Sequence, residues 1–420
     1  MTPTADTSQS TRASSSHQRQ HTIREFFNEI PKGYDIEFHN KIETAVDGYV
    51  QEEETLPQQD SPLNAPITLP QLITAQDRLN SASCHAKDKI PNAALKITLL
   101  QWQHLLLALM NAILHLAEFP TIWRHVLLCP LLKGGKGKSR QKMGDHRPIG
   151  LISTVAKLLE QILLPRFTLI LLDILSPDQA GGWLGADAAA LYVWELLTLR
   201  AAGRCPDAVN GKAMTWLAFL DLESFFDRVW RKGLLYMLWH AGVRGKAFLL
   251  LRSYLEVTIL YVIINGHISE SWESTLGVLQ GSVLSMILSA LYLCSLQLLL
   301  DQAKHGARWI AADGSIRRTN SCFYVDDGLL PAETRSALQL MLDIVSGWTR
   351  RWRIRFRLGI DKTAFMCTGG NDLERNGHVY ISTLEGERLK LQAVSCYVYL
   401  GLLIQCNLRC VQLLKTLRRI

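Results

Sequence analysis

The chain has 420 residues, 48% of them hydrophobic and 20% charged, with a formal net charge of +7. That length suggests two or three packed units, and that composition excludes a chain disordered throughout. Residues 347–420 hold thirteen basic and five acidic residues, a net of +8 on an otherwise near-neutral body; such an end suits a polyanionic partner such as nucleic acid, or simply a solvated basic face.

Residues 1–60 are read as a disordered leader. Ser, Thr, Gln and His dominate residues 1–20, and 51–60 are mostly polar and acidic, too little apolar surface to offset chain entropy. The polar start shows no secretory leader. The nine cysteines include no Cys-x-x-Cys pair, so reduced, mostly core-filling thiols of a nuclear or cytoplasmic, non-secreted protein are expected rather than a zinc site.

From Ile67 the apolar spacing turns helical, and residues 61–120 are expected to form a helical extension, with a strong helix over 99–117 closed by Pro120. Residues 126–132 read as a strand. Gly134, Gly135 and Gly137, with Lys133, Lys136 and Lys138, form a basic loop. A helix over 155–175 is expected to be interrupted at Pro165. Residues 216–220 are a continuous apolar strand ending on Asp221, and a helix follows over about 231–255. Residues 257–264 read as a strand with a hairpin turn at Asn265-Gly266. The uncharged stretch 274–300 is long enough for a bilayer, but Gly277, Gln280, Gly281, Ser282 and Ser285 in its first half favour a buried core helix over 284–300. Residues 322–325 read as a strand, Asp326-Asp327-Gly328 as a tight turn, and Leu329-Leu330 as the return strand. Arg351, Arg353, Arg355 and Arg357 alternate with Trp352, Ile354, Phe356 and Leu358, the period of a strand with one arginine face. That face is either solvated or a rail for a phosphate backbone. No internal repeat is visible.

Asp221 and Asp326-Asp327 stand out because apolar strands lead into them. A carboxylate at the end of a buried strand is costly unless paired or bound to a cation. Three carboxylates from two adjacent strand ends could hold two magnesium ions roughly 3.5–4 Å apart. Between them, Gly277 and Gly281 allow close backbone approach in a loop that leads into a helix.

Taken in order, these segments resemble the motifs of reverse transcriptases, in particular those of non-LTR (LINE-type) retrotransposons. The core of the likeness is Asp221-Leu222 with Phe226-Asp227-Arg228-Val229-Trp230, then Gly277-Val278 with Gln280-Gly281-Ser282-Val283-Leu284-Ser285, then Tyr324-Val325-Asp326-Asp327. Upstream, Asp88-Lys89-Ile90-Pro91-Asn92 looks like the family's G-P-D-G-I-P segment. Phe119-Pro120 with Trp123, Pro130-Leu131-Leu132-Lys133, and Arg147-Pro148-Ile149 with Leu151, Ser153, Lys157 and Glu160 resemble its fingers motifs. Gln179-Ala180-Gly181 looks like its Q-x-G-F stretch. Downstream, Trp348 and Trp352 with Lys362-Thr363 resemble the next palm motif, and Tyr399-Leu400-Gly401 the primer-grip turn. The likeness covers about residues 65–405.

The resemblance implies an α+β right-hand polymerase fold over 121–405, with fingers and an antiparallel palm sheet flanked by helices, and a truncated thumb beginning at 406–420. It implies RNA-directed DNA polymerase activity on an RNA template and a DNA primer with deoxynucleoside triphosphates, away from any membrane. It also implies two magnesium ions, for which manganese can substitute, held by Asp221, Asp326 and Asp327 with the Leu222 carbonyl. Lys133 and Arg147 would hold the triphosphate, Phe226 would stack under the sugar and exclude a 2′-hydroxyl, and Gln280 and Gly281 would line the nucleotide pocket. Lys362 would protonate or neutralise the pyrophosphate leaving group. Several positions depart from the family pattern. Phe225 replaces a small residue beside the sugar and is expected to crowd it unless the backbone shifts. Glu223 and Ser224 replace Ser-Lys, Leu279 and Met286 replace prolines, and Gly359 replaces a frequent Asn. These departures leave open a second reading, a decayed fragment that binds RNA or a protein partner without chemistry.

Overall fold

The computed structural model describes residues 34–55, 61–84, 86–97, 99–134, 139, 145–172, 174–175, 185–369, 377–407 and 412–413. The architecture is α+β, with mixed sheets flanked by helices. The chain divides into two compact units that interleave in sequence. The first takes Asn40–Asp173 and Phe226–Leu288, the second Pro31–His39, Ile174–Phe225 and Ser289–Ile420.

In the first unit, strand His125–Leu132 pairs antiparallel with His146–Leu151 and parallel with Thr258–Ile264. Strands His267–Ile268 and Trp272–Ser274 both join Thr258–Ile264 antiparallel. The expected hairpin forms at Asn265 and Gly266, at φ 52° and 83°, a conformation these two residue types tolerate. Helices Leu69–Asp77, Asn92–Lys96 and Leu100–Leu116 occupy the stretch expected to be helical. Helix Thr154–Leu171 runs through Pro165 without the expected break. Pro165 is exposed while Ile162, Leu163 and Phe167 beside it are buried, so packing on the opposite face outweighs a cost of about 3 kcal/mol for an interior proline. The one helix expected over 231–255 is two, Arg231–His240 and Gly245–Tyr254. They part where Gly242 and Gly245 take φ of 83° and 65°.

The leader reading needs correction. Residues 36–55 form a 20-residue helix, Ile36–Thr55. Few apolar residues suffice because they are spaced four apart: Ile42 and Val46 are 3% and 1% exposed, and Tyr49 stacks on Trp239 at 4.4 Å between ring centroids. Residues 1–33 and 56–60, Gln179-Ala180-Gly181, and most of the expected thumb start lie outside the described residues.

In the second unit a five-stranded sheet runs in the order Gln392–Ala393, Ala364–Thr368, Thr215–Asp221, Asp327–Ala332, Cys322–Tyr324. All its pairings are antiparallel except that of the first two strands. The central strand reads as an unbroken apolar run because both its faces are covered: Trp216 to Leu220 are all 3% exposed or less. Phe219, Leu217, Leu329 and Met366 share one core with Val193, Leu196 and Leu197 of helix Ala186–Ala201, and with Trp309, Tyr399 and Leu402. Truncating Phe219 to Ala there should cost about 3–5 kcal/mol. Arg200, fully buried, fixes the start of the strand by donating to Thr215 Oγ1 at 2.8 Å and to Asp207 through both terminal nitrogens.

Helix Arg335–Trp352 overturns the strand expected over 351–358. Trp348 and Trp352, four apart and buried, set a helical period through Arg351, and Arg353 then turns the chain at φ 59°. Arg353 is buried rather than on a solvated face. Over residues 354–358 the backbone makes only single bridges, Leu222 with Phe356 and Leu358 with Thr363. The stretch 284–300 is helical, within Ser285–Ala303. By length and composition this helix could cross a bilayer, but 61% of it is buried within the chain, as expected of a core helix.

Candidate active site

The sequence places two carboxylate positions at strand ends, and the pairing register brings them together. Asp221 ends Thr215–Asp221, and its partner across the antiparallel ladder is Asp327. The turn falls one residue earlier than the sequence suggests. Tyr324 pairs with Asp327, so the two-residue turn is Val325-Asp326, and Asp327 already belongs to the return strand. That shift sets Asp327 opposite Asp221 and Asp326 at the tip beside them. Val325 adopts φ 58°, a conformation that costs a β-branched residue roughly 1–3 kcal/mol.

Neighbouring groups hold this turn. The buried Tyr399 donates its hydroxyl to Cys322 O at 3.0 Å and Asp327 O at 3.4 Å, one on each arm. Tyr397 stacks on Phe219 with centroids 3.8 Å apart and donates to Lys362 O at 2.9 Å. Burial first, then the charges of Asp327, Asp221 and Asp361, push the Tyr397 phenol up, so it remains a donor at neutral pH.

Asp221 is fixed through its backbone as well. Its N–H donates to Thr363 Oγ1 at 3.1 Å, and its carbonyl accepts from Arg357 N–H at 2.9 Å. Two cationic side chains meet its carboxylate, Lys362 Nζ at 2.9 Å from Oδ2 and Arg357 Nη1 at 3.7 Å from Oδ1. Sequence singled out Lys362 for the leaving pyrophosphate and named Arg357 and Thr363 for other reasons; the links of all three to Asp221 are tertiary and were not read from it. The Leu222–Phe356 bridge uses the Glu223 N–H and the Asp221 carbonyl, so the Leu222 carbonyl is not part of it. Phe225 lies in the core: its ring is 1% exposed and packs near Tyr292, with centroids 6.1 Å apart, and the chain turns into it through Ser224 at φ 50°. Phe226, the next residue, is partly exposed.

Among the described residues no group of three or more His, Cys, Asp and Glu side chains is gathered closely enough to hold a metal ion. The donor chemistry nonetheless fits a hard divalent cation: oxygen only, from two carboxylate positions in register and a third at the adjoining turn.

The first unit carries the other predicted residues. Leu131 pairs with Arg147, and Lys133 N–H continues the ladder to Asp145 O at 2.7 Å. By this register Lys133 and Arg147 stand as diagonal neighbours on one face of the hairpin. Lys89 occupies the place where the likeness has Gly and takes φ 57°. The loop 277–285 is pinned at several points. Gly150 N–H donates to Gln280 O at 2.6 Å, and Gln280 Nε2 donates to Asp227 at 3.2 Å. Gly281, at φ 123°, passes so close that a Cβ would lie 2.5 Å from Gly150 O; at Gly277, at φ 77°, it would lie 2.8 Å from Asp227 O. Buried Arg231 donates to Gly277 O at 2.8 Å, Ser274 O at 3.0 Å and Thr258 Oγ1 at 2.9 Å. Burial lowers its pKa to about 10, which leaves it charged at neutral pH.

Comparison with known proteins gives the family of the chain. The family described as "Reverse transcriptase (RNA-dependent DNA polymerase)" matches residues 133–404. A Drosophila melanogaster protein described as RNA-directed DNA polymerase from mobile element jockey is 23% identical over 359 residues, 84% of this chain and 36% of its own length. Two further proteins from that fly, described as probable RNA-directed DNA polymerases from transposon BS and from transposon X-element, are 26% and 27% identical over 73% and 71% of this chain. They are covered over 33% and 31% of their own lengths. The chain thus spans about a third of the length of these curated relatives.

Proposed function

Because the chain belongs to the reverse transcriptase family, in its non-LTR (LINE-type) retrotransposon branch, we propose that it is a polymerase domain that copies RNA into DNA. In this reading the sheet bearing Asp221 is the palm, and the hairpin bearing Lys133 and Arg147 belongs to the fingers. The observation that carries the reading is the register pairing of Asp221 with Asp327, with Asp326 at the turn beside them.

Asp221 and Asp326 would be the main ligands of two magnesium ions, assisted by Asp327 and the Leu222 carbonyl, with manganese as a substitute. When bound, such ions stabilise the charge of a phosphoryl group and lower the pKa of an attacking hydroxyl. The chain's own residues do the rest by positioning and charge. Lys133 as a point charge and Arg147 as a bidentate fork would hold the triphosphate. Phe226 would bar a 2′-hydroxyl. Gln280 and Gly281 would line the nucleotide pocket. Lys362, held beside Asp221 at 2.9 Å, would meet the departing pyrophosphate. Its carbonyl's bond to Tyr397 keeps its backbone in place for that task.

One observation favours the second reading, an RNA-binding chain without chemistry. Arg357 adds a second positive charge to the carboxylate that a metal would need. Primer extension on an RNA template, with magnesium and then manganese, separates the two. Incorporation of deoxynucleotides supports the polymerase. Salt-dependent RNA binding with no incorporation under either ion supports the second reading and ends the first.

A further inference from the structure

Loop 277–285 ends in a buried carboxyl group that the polymerase reading leaves without a task. Glu160, on helix Thr154–Leu171, is 1% exposed. Its Oε2 accepts from Val283 N–H at 2.6 Å, and its Oε1 accepts from the Tyr254 hydroxyl at 3.0 Å. The Tyr254 oxygen lies 2.9 Å from Ser282 Oγ, which also accepts from Leu284 N–H at 3.2 Å. One carboxyl group therefore reaches three consecutive residues of the loop, one directly and two through hydroxyls. A buried carboxyl group this deep is expensive unless its hydrogen bonds return something. Here they fix the backbone two and three residues after Gln280 and Gly281. Arg231 anchors the other end of the loop at Gly277.

We propose that Glu160 is a positioning residue for the incoming nucleotide: with Tyr254 as its relay it holds residues 282–284 so that Gln280 and Gly281 present a fixed surface to the deoxynucleotide. This rests on the polymerase reading for its consequence, though not for the clamp itself. Glu160 touches no substrate; it acts through the loop. The loop is joined to the Lys133–Arg147 hairpin by the Gly150 N–H to Gln280 O bond, so the triphosphate-holding strands and the loop share one scaffold. Loosening the carboxyl end would cost nucleotide affinity more than it costs the chemical step.

Two measurements on the full chain test this. Hydrogen exchange is followed at the amides of residues 279–285 in the native chain, Glu160→Ala, Glu160→Gln and Tyr254→Phe. Steady-state incorporation gives kcat and KM for the deoxynucleotide. Glu160→Ala should speed exchange of the Val283 amide by about tenfold or more and raise KM about tenfold, with kcat within about threefold. Glu160→Gln keeps an acceptor for Val283 and should recover most of the loss, and Tyr254→Phe should fall between. Unchanged exchange across the loop in all three variants overturns the clamp. Faster exchange with kcat and KM lowered or raised together assigns Glu160 a merely structural role and overturns the positioning claim. If Glu160→Ala does not fold, Glu160→Gln and Tyr254→Phe carry the same comparison. If the native chain incorporates nothing, the polymerase reading fails and nucleotide positioning fails with it, while the exchange experiment still decides whether the clamp exists.

Discussion

Asp221 and Asp327 lie directly opposite each other on neighbouring antiparallel strands, although about a quarter of the chain separates them in sequence. The pairing depends on a turn at Val325-Asp326 and on Tyr399, which ties both arms of that turn. With the turn one residue later, Asp327 would leave the ladder, and the side chains beyond it would change faces. Holding Val325 at positive φ is part of what keeps the two acids in register.

The second charge on Asp221 predicts an effect on metal binding. Arg357 Nη1 sits 3.7 Å from Asp221 Oδ1 and opposes any cation approaching that oxygen. Arg357→Ala should strengthen manganese binding by about threefold to tenfold, since the charge is partly solvated and its influence correspondingly screened. Paramagnetic resonance of free manganese during a titration reads this directly. Weaker binding in the variant would mean that Arg357 supports the site instead of competing for it.

The close approach at Gly281 predicts a selective loss. A Cβ there would lie 2.5 Å from the Gly150 carbonyl oxygen, on a backbone at φ 123°. Gly281→Ala must displace either the loop or the hairpin, at a cost of about 1–3 kcal/mol. The melting temperature should drop by several degrees, and Gly150 should lose exchange protection as its bond to Gln280 opens. Gly266→Ala, which meets nothing within 4 Å, serves as the control for positive φ alone. Equal destabilisation by the two would show that the close approach has no weight of its own.

A pH-dependent stability term follows from His39. Its Nδ1 accepts from Arg353 Nε at 2.6 Å, so its Nε2–H donates to Arg351 O, also at 2.6 Å. Tyr34 stacks on the ring at 4.4 Å. Burial, with Arg353 beside it, lowers the pKa from 6.5 to about 4, against the opposing pull of the Arg351 carbonyl and Asp35. The folded state therefore keeps the imidazole neutral. Its contribution is present above pH 6.5 and is lost as the pH falls through 4. Between pH 7.5 and 5 the native chain should lose on the order of 2 kcal/mol more than His39→Gln does. Urea denaturation of both chains at the two pH values gives the difference, and parallel losses would refute the assignment.

The three strands that carry the acids were legible because apolar runs lead into or out of Asp221 and Asp326-Asp327, whereas Ala364–Thr368 and Gln392–Ala393 of the same sheet carry no such mark and were not read. Asn265-Gly266 was legible because few residue pairs accept that turn. The arginine alternation misled because residues 351–358 show period two, while Trp348 and Trp352 extend a helix through its first two residues. Helix Ile36–Thr55 was missed because Ile42, Val46 and Tyr49 are few among polar neighbours and find their partners far along the chain. For the same reason Glu160, Arg231 and Arg357 gave no local sign of their tasks. Each is explained by acceptors or charges that only folding brings near. The position of Phe225 turned on Ser224 at φ 50°, a backbone state that a serine does not announce.

The most direct measurement compares deoxynucleotide incorporation on an RNA template by the native chain, Asp221→Asn, Asp326→Asn and Asp327→Asn, with circular dichroism confirming that each is folded. If these acids form one centre, Asp221→Asn and Asp326→Asn each lose about a thousandfold or more in kcat, and Asp327→Asn loses less. A folded Asp221→Asn or Asp326→Asn chain that extends the primer at the native rate would contradict the account.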